Sequence, residues 1–245
     1  AVYPLATHAR GARGIEVPAR DLAHDLPAMR AAITPDTRVV FVANPNNPTG
    51  TWLAPAALEA FVDAVPRDVL VVLDEAYNEY LDPADRADSI GWLAQYPHLL
   101  VSRTFSKAYG LAALRIGYAV ASVEIADTLN RVRQPFNVNA LAQAAAIAAL
   151  ADDAYVEESR VLNRQGLAQL YAGLAALGVA YVPSHGNFLL VKVGDAARVN
   201  QALLHLGVIV RPVASYGLPE YLRVSVGLSA ENERFLAALK SVLGR

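Results

Sequence analysis

The run DVLVVLDEAY, residues 68–77, decides how the chain folds. Its apolar stretch from Val69 to Leu73 is rich in β-branched residues and short, which suits a strand buried on both faces. The first polar residues after that stretch are Asp74 and Glu75. Working outward, RVVFVA (38–43) reads as a second buried strand and runs into the loop NPNNPTGT. HLLVSRTFSK (98–107) reads as a third strand with a polar turn behind it, and RIGYAVAS, from Arg115, as a fourth. Amphipathic stretches lie between them. DLPAMRAAI has an aspartate cap at Asp25, and APAALEAFVDAV, from Ala54, carries a proline in its first turn. GIEVP (14–18) predicts one further short strand. Strands alternating with helices predict an α/β fold with a mainly parallel mixed sheet flanked by helices.

The texture changes after Asn139. NALAQAAAIAALADD and the stretch from Tyr155 to Leu177 are helical, and VAYVPS, NFLLVKV, VNQALLHLG, VIVRPV, LRVSVG and ENERFLAALKSVL then make a small α+β unit. The expected division is a large domain over residues 1–154 and a small C-terminal domain, with its connecting helix, over 155–245.

Composition removes several function classes. The chain is 54% hydrophobic and 18% charged, which predicts a well-buried core rather than disorder. Lys and Arg number 21 against 23 acidic residues, without a basic tract, so neither nucleic acid nor an anionic membrane is an expected partner. Cysteine is absent, which excludes a thiol nucleophile and a thiolate metal site. The five histidines are scattered, so no metal is expected. The most apolar stretch, residues 139–151, is too short to span a bilayer, and no signal peptide is visible; a cytoplasmic location is expected.

In an open, mainly parallel sheet, ligands bind beyond the carboxyl ends of the strands. NPNNPTG, DEAY and SRTFSK all follow such ends. Taken singly, each has an ordinary explanation: turn punctuation, a helix cap at Asp74, a solvated Lys107. Taken in order, they are three loops able to line one pocket.

At these motifs the chain resembles the fold-type I aminotransferases, which use pyridoxal 5'-phosphate (PLP). The resemblance runs over essentially the whole chain: ANPNNPTGT (43–51), VVLDEAYNEY (71–80), SRTFSKAYGLAALRIGYA (102–119), RQPFNVNALAQAAA (133–146), SHGNFLLV (184–191) and VIVRPVASYGLPEYLRVSVGLSAEN (208–232). It implies a PLP-dependent transferase-like large domain. It also implies roles. Asp74 would pair with the pyridine nitrogen and keep it protonated, with Glu75 as the rival by proximity. Asn47 and Tyr77 would hydrogen-bond the cofactor's phenolic oxygen, and Ala76 would lie flat beneath its ring. Lys107 would form the imine with PLP and, once displaced by substrate, shuttle the proton. Thr104, Ser106 and Arg115 would grip the phosphate through hydroxyls and a guanidinium fork. Arg223 would bind the substrate's anionic group, with Arg211 as its companion.

Within the family, the resemblance is nearest to enzymes that move an amino group between L-histidinol phosphate and 2-oxoglutarate, with imidazole acetol phosphate and glutamate as the other pair, in histidine biosynthesis. Such enzymes are homodimers. An aromatic amino acid aminotransferase, a decarboxylase or lyase acting on a phosphorylated amino acid, and a non-catalytic PLP-sensing module remain alternatives. They share Lys107, Asp74 and Arg115, and an arginine fork suits a carboxylate and a phosphate alike. The resemblance also implies further chain on the amino-terminal side, carrying a phosphate-cradling loop, a ring-stacking aromatic and a tyrosine lent across the dimer. The expectation for the 245 residues alone is weak PLP binding, or none, and an incomplete dimer surface.

Overall fold

A computed structural model describes residues 2–244. The chain divides into two compact units, Ala1–Pro45 with Leu53–Val156, and Asn46–Trp52 with Glu157–Arg245. The chain leaves the first unit for residues 46–52, returns at Leu53, and passes finally into the second inside a single long helix.

The first unit begins with helix α1 (Val2–Ala9) and the short α2 (Leu26–Ala31). Asp25 caps α2, its carboxylate accepting from the Ala28 N–H at 3.1 Å. Strand β1 (Val39–Ala43), helix α3 (Pro55–Ala64), strand β2 (Leu70–Asp74), strand β3 (Leu99–Thr104) and strand β4 (Gly117–Ala121) follow. The sheet order is β1-β2-β3-β4. The first three strands are parallel and β4 returns antiparallel against β3, so the sheet is mixed and mostly parallel, as the sequence predicts. Among the described residues no strand pairs with the outer edge of β1 or of β4. The register puts Ala43, Asp74 and Ser102 side by side, which aligns the ends of three strands.

One core of this unit packs Leu26, Leu58, Phe61 and Val62 from the helices onto Val42, Val71, Leu73, Leu99 and Val101. A second gathers Phe105 and Ile116 against Ala142 and Ala146. These alanines belong to α5 (Ala140–Leu150), which follows α4 (Val123–Val132). Leu141, Ile147 and Leu150 on α5, Val123 and Val132 on α4, and the fully exposed Phe136 between them face outward.

The strand expected over residues 14–18 does not form. The segment carries no regular secondary structure and is largely exposed, with Ile15 half open to water, and among the described residues no strand pairs with it. Its apolar alternation supplies a face, yet a strand also needs a ladder partner to satisfy its N–H and C=O groups.

The second unit takes the larger part of α6 (Asp153–Ala176), then β5 (Tyr181–Val182), β6 (Phe188–Lys192), α7 (Ala196–His205), β7 (Arg211–Pro212), β8 (Tyr221–Ser225) and α8 (Ser229–Leu243). Its sheet runs β5-β6-β8-β7 with every pair antiparallel. Leu170, Leu174, Leu189, Val191, Val199, Leu203, Leu222 and Leu239 fill the space between sheet and helices. The same unit includes the loop Asn46–Trp52, anchored by the His185 N–H donating to Gly50 O at 2.8 Å. At Gly50, where φ is +75°, a Cβ would stand 2.1 Å from Ser184 Oγ, so only glycine lets the two loops meet.

No described helix is long and apolar enough to cross a membrane.

Candidate active site

Asp74 is the last residue of β2, and the ladder continues one step past it, with the Glu75 N–H donating to Ser102 O at 2.9 Å. An extended backbone sends successive side chains to opposite faces. The two acids therefore part company. Glu75 is buried, and its carboxylate is held by Arg103 through Nε at 2.9 Å and Nη2 at 2.8 Å. A carboxylate committed in this way to a partly buried guanidinium serves the scaffold. Glu79 lies close enough to that pair to feel both charges. It is buried, its Oε2 has no hydrogen-bond partner among the described residues, and burial holds its carboxyl above the usual range.

Asp74 keeps to the other face and is only partly buried. Its Oδ1 accepts from the Ala76 N–H at 3.2 Å, and its Oδ2 accepts from the hydroxyl of Tyr3 on α1. The Tyr3 ring stacks on Phe41 with centroids 4.6 Å apart and planes 10° from parallel. Phe41 stands two residues before Ala43, the register partner of Asp74, so ring and carboxylate share one sheet face. Burial, then the Asp74 charge, push the Tyr3 phenol far above its ordinary value, so it remains a donor. Tyr77 follows on the same loop, buried, and the Lys107 ammonium lies 5.6 Å from the centre of its ring.

Lys107 is partly buried and sits in a turn with a rigid floor. Phe105 is buried between Tyr109 and Tyr118, at centroid distances of 5.0 and 5.6 Å. The turn closes by the Gly110 N–H donating to Lys107 O and the Leu111 N–H to Phe105 O, both at 2.9 Å. Gly110 needs its φ of +70°, and a Cβ there would meet the Tyr155 hydroxyl at 2.7 Å. Next to the lysine, the Ser106 N–H donates to Thr104 Oγ1 at 3.1 Å, and Arg115 Nη1 donates to Ser106 Oγ at 3.4 Å and to Ala112 O at 2.8 Å. Arg115 is exposed and adopts φ 54°, ψ 49°, a left-handed conformation that residues with a Cβ mostly avoid and functional sites often retain. Two hydroxyls and a guanidinium thus form one linked set of anion-binding groups.

The second unit carries its own group. Arg211 and Arg223 stand directly opposite each other across β7 and β8. Like charges so placed repel, and an anion shared between them relieves the repulsion. The Arg223 guanidinium lies 4.8 Å from the Phe188 ring centre, and its Nη1 donates to Asn47 Oδ1 at 2.7 Å. A guanidinium has no acceptor, so the carboxamide oxygen of Asn47 must face it and the amide N–H groups must point elsewhere.

The expected residues thus fall into three sets: Asp74 at the end of β2 with Tyr77 on the loop behind it beside Lys107, Thr104, Ser106 and Arg115 linked together, and Asn47, Arg223 and Arg211 in the second unit. Two participants escape a reading of the sequence. Arg103 leaves a trace, because a charge inside the buried run LLVSRT demands a partner. Tyr3 leaves none, since nothing local ties it to a residue 71 positions away.

Comparison with known proteins gives a consistent picture. The family model "Aminotransferase class I and II" matches residues 2–239. Histidinol-phosphate aminotransferase 1 of Thiobacillus denitrificans is 64% identical over 243 residues, covering 99% of this chain and 63% of that protein. Its counterpart in Cupriavidus pinatubonensis is 63% identical over 247 residues, covering 99% of this chain and 66% of that protein. The chain therefore spans slightly less than two thirds of the length of these relatives. Among solved structures, histidinol-phosphate aminotransferase from Sinorhizobium meliloti in complex with pyridoxal-5'-phosphate superposes with a TM-score of 0.91 at 34% identity, covering 99% of this chain and 67% of that one.

Proposed function

The chain belongs to the aminotransferase class I and II family, and from that premise we propose that it serves transfer of an amino group between L-histidinol phosphate and 2-oxoglutarate, with PLP as cofactor. The observation that carries the reading is the donor set at the strand ends: a carboxylate at the end of β2, and a primary amine with a hydroxyl–guanidinium cluster from the end of β3 onward. The substrate is favoured by the identity of 64% to a histidinol-phosphate aminotransferase.

The donor set fits PLP. When bound, the cofactor supplies an electron sink for the bonds at the substrate's amino-bearing carbon. Asp74 would hold a proton at the pyridine nitrogen by charge and hydrogen bonding. Lys107 would be the amine that attaches the cofactor and, when released, carries a proton to and from the reacting carbon; its ammonium lies 5.6 Å from the centre of the Tyr77 ring. Thr104, Ser106 and Arg115 would hold the phosphate. In the second unit, Arg223 and Arg211 would take the anionic group of the substrate, and Asn47, its oxygen bound by Arg223, would offer its N–H groups to an oxyanion.

We further infer a homodimer, supported by the outward-facing apolar residues of α4 and α5 with Phe136 between them, and a cytoplasmic site of action, where freely diffusing glutamate and phosphorylated substrate are at hand.

Spectral titration with PLP, followed by parallel amino-acceptor assays with histidinol phosphate and phenylalanine under carbon dioxide monitoring, tests the reading. Faster turnover of histidinol phosphate without gas release is expected. Preference for phenylalanine would overturn the substrate, and release of carbon dioxide would overturn the reaction.

A further inference from the structure

We propose that Tyr3 is a positioning residue for Asp74, fixing the carboxylate through its hydroxyl so that a remaining lone pair can meet a protonated ring nitrogen. The proposal deepens the reading of Asp74 given above and rests on it.

The geometry has three parts. First, each oxygen of Asp74 already has a donor, the Ala76 N–H on Oδ1 and the Tyr3 O–H on Oδ2. A carboxylate offers roughly four acceptor sites, so two donors leave capacity for a third while defining the plane in which it must approach. Second, Tyr3 is itself held. Its ring stacks on Phe41, on the same face and two residues from the register partner of Asp74, so the hydroxyl is aimed by the sheet that carries its acceptor. The Thr7 hydroxyl donates back to Tyr3 O at 2.8 Å, tying the residue into the first turn of α1. Third, the phenol stays protonated, because burial and the neighbouring carboxylate both oppose its ionisation. A permanently neutral donor steadies Asp74 as an anion without cancelling its charge, as a lysine or arginine at that place would. The ion pair with the cofactor nitrogen then remains to be made by Asp74 alone.

The test uses the purified 245-residue chain with Tyr3→Phe, which keeps the stacked ring and deletes only the hydroxyl. Denaturation of wild type, Y3F, D74A and the double variant gives the coupling without any cofactor. Y3F should lower stability in the wild-type background and have no further effect in D74A. Absorbance titrations with PLP and with its 1-deaza analogue, in which carbon replaces the ring nitrogen, then read the positioning role. Y3F should weaken PLP binding about tenfold, the order expected for one hydrogen bond to a charged group. It should leave binding of the deaza analogue unchanged. Additive effects in the cycle, or equal weakening of both ligands, would overturn the proposal. Because weak binding is the expectation for the 245 residues alone, the readout is the ratio of Y3F to wild-type affinity; if wild type shows no PLP binding at any concentration, the role of Asp74 toward the ring nitrogen fails for this chain, and a non-additive cycle then reduces Tyr3 to a contact of the fold.

Discussion

Asp74 and Glu75 are joined by one peptide bond and live in opposite surroundings. Glu75 is buried against a guanidinium, with a second buried carboxyl, Glu79, close by. Asp74 is partly open, takes two neutral donors, and shares its loop with a tyrosine that lies beside a lysine. The pleat of β2 makes the division, since consecutive side chains must leave by opposite faces. One dipeptide at the end of a buried strand can therefore supply both a reactive group and the anchor that steadies it. The anchor matters because Arg103 comes from β3, the strand that leads into the lysine turn, so the Glu75–Arg103 pair joins the two strand ends that carry Asp74 and Lys107.

The contrast can be broken from either side. The largest effect is expected at Lys107. Lys107→Ala should cut transamination by at least about a thousandfold, the scale of a lost proton-transfer group, while moving the denaturation midpoint little. Rate and melting measured on one preparation separate the two, and an active K107A would end the enzymatic reading.

On the opposite face the order reverses. Arg103→Ala leaves the Glu75 carboxylate buried without its partner and should destabilise the chain by about 3 kcal/mol, measurable by urea titration. Replacing both residues with methionine should recover much of that loss, because a buried pair exchanged for apolar volume is often neutral. If R103A costs nothing, the pair is not an anchor.

The smallest effect belongs to Glu79. Its folded-state pKa lies above the unfolded value near 4.5, so the folded chain holds that proton more tightly than the unfolded one. The stability this adds is fully present below pH 4.5 and is lost as pH rises through the folded pKa. Glu79→Gln mimics the protonated acid and should flatten that part of the stability–pH curve, with a near-wild-type midpoint at low pH. An unchanged slope in E79Q would assign it to other groups.

Much of the fold was legible because its decisive signals are local. Short apolar runs ending in Asn44, Asp74 and Ser102 mark strands β1, β2 and β3, and their polar successors mark the loops. The capping at Asp25 was legible for the same reason. What was not legible depends on partners. Residues 14–18 have the composition of a strand and nothing to pair with. Asn46–Trp52 follows β1 in sequence, yet beyond its internal hydrogen bonds it is held by His185 and Arg223, far along the chain. At the candidate site, loop chemistry named the residues that carry charge or nucleophilic groups. The residues behind them, Tyr3 against Asp74 and Arg103 against Glu75, were set by tertiary contact.

Among the described residues, the four-stranded sheet of the first unit ends on both sides in a strand without a further ladder partner. A strand rim without a ladder partner is a template for another chain, and along β1 only its end is covered, where His24 Nε2 lies 3.1 Å from Ala43 O: Val39 to Ala43 contains neither charge nor proline, and Val39 is 41% exposed. The colloidal behaviour of this chain is thereby tied to its backbone rather than to its net charge of −2. At rising concentration, its first encounters would be strand against strand, and whatever covers those rims acts as a chaperone for the chemistry as much as a neighbour to it.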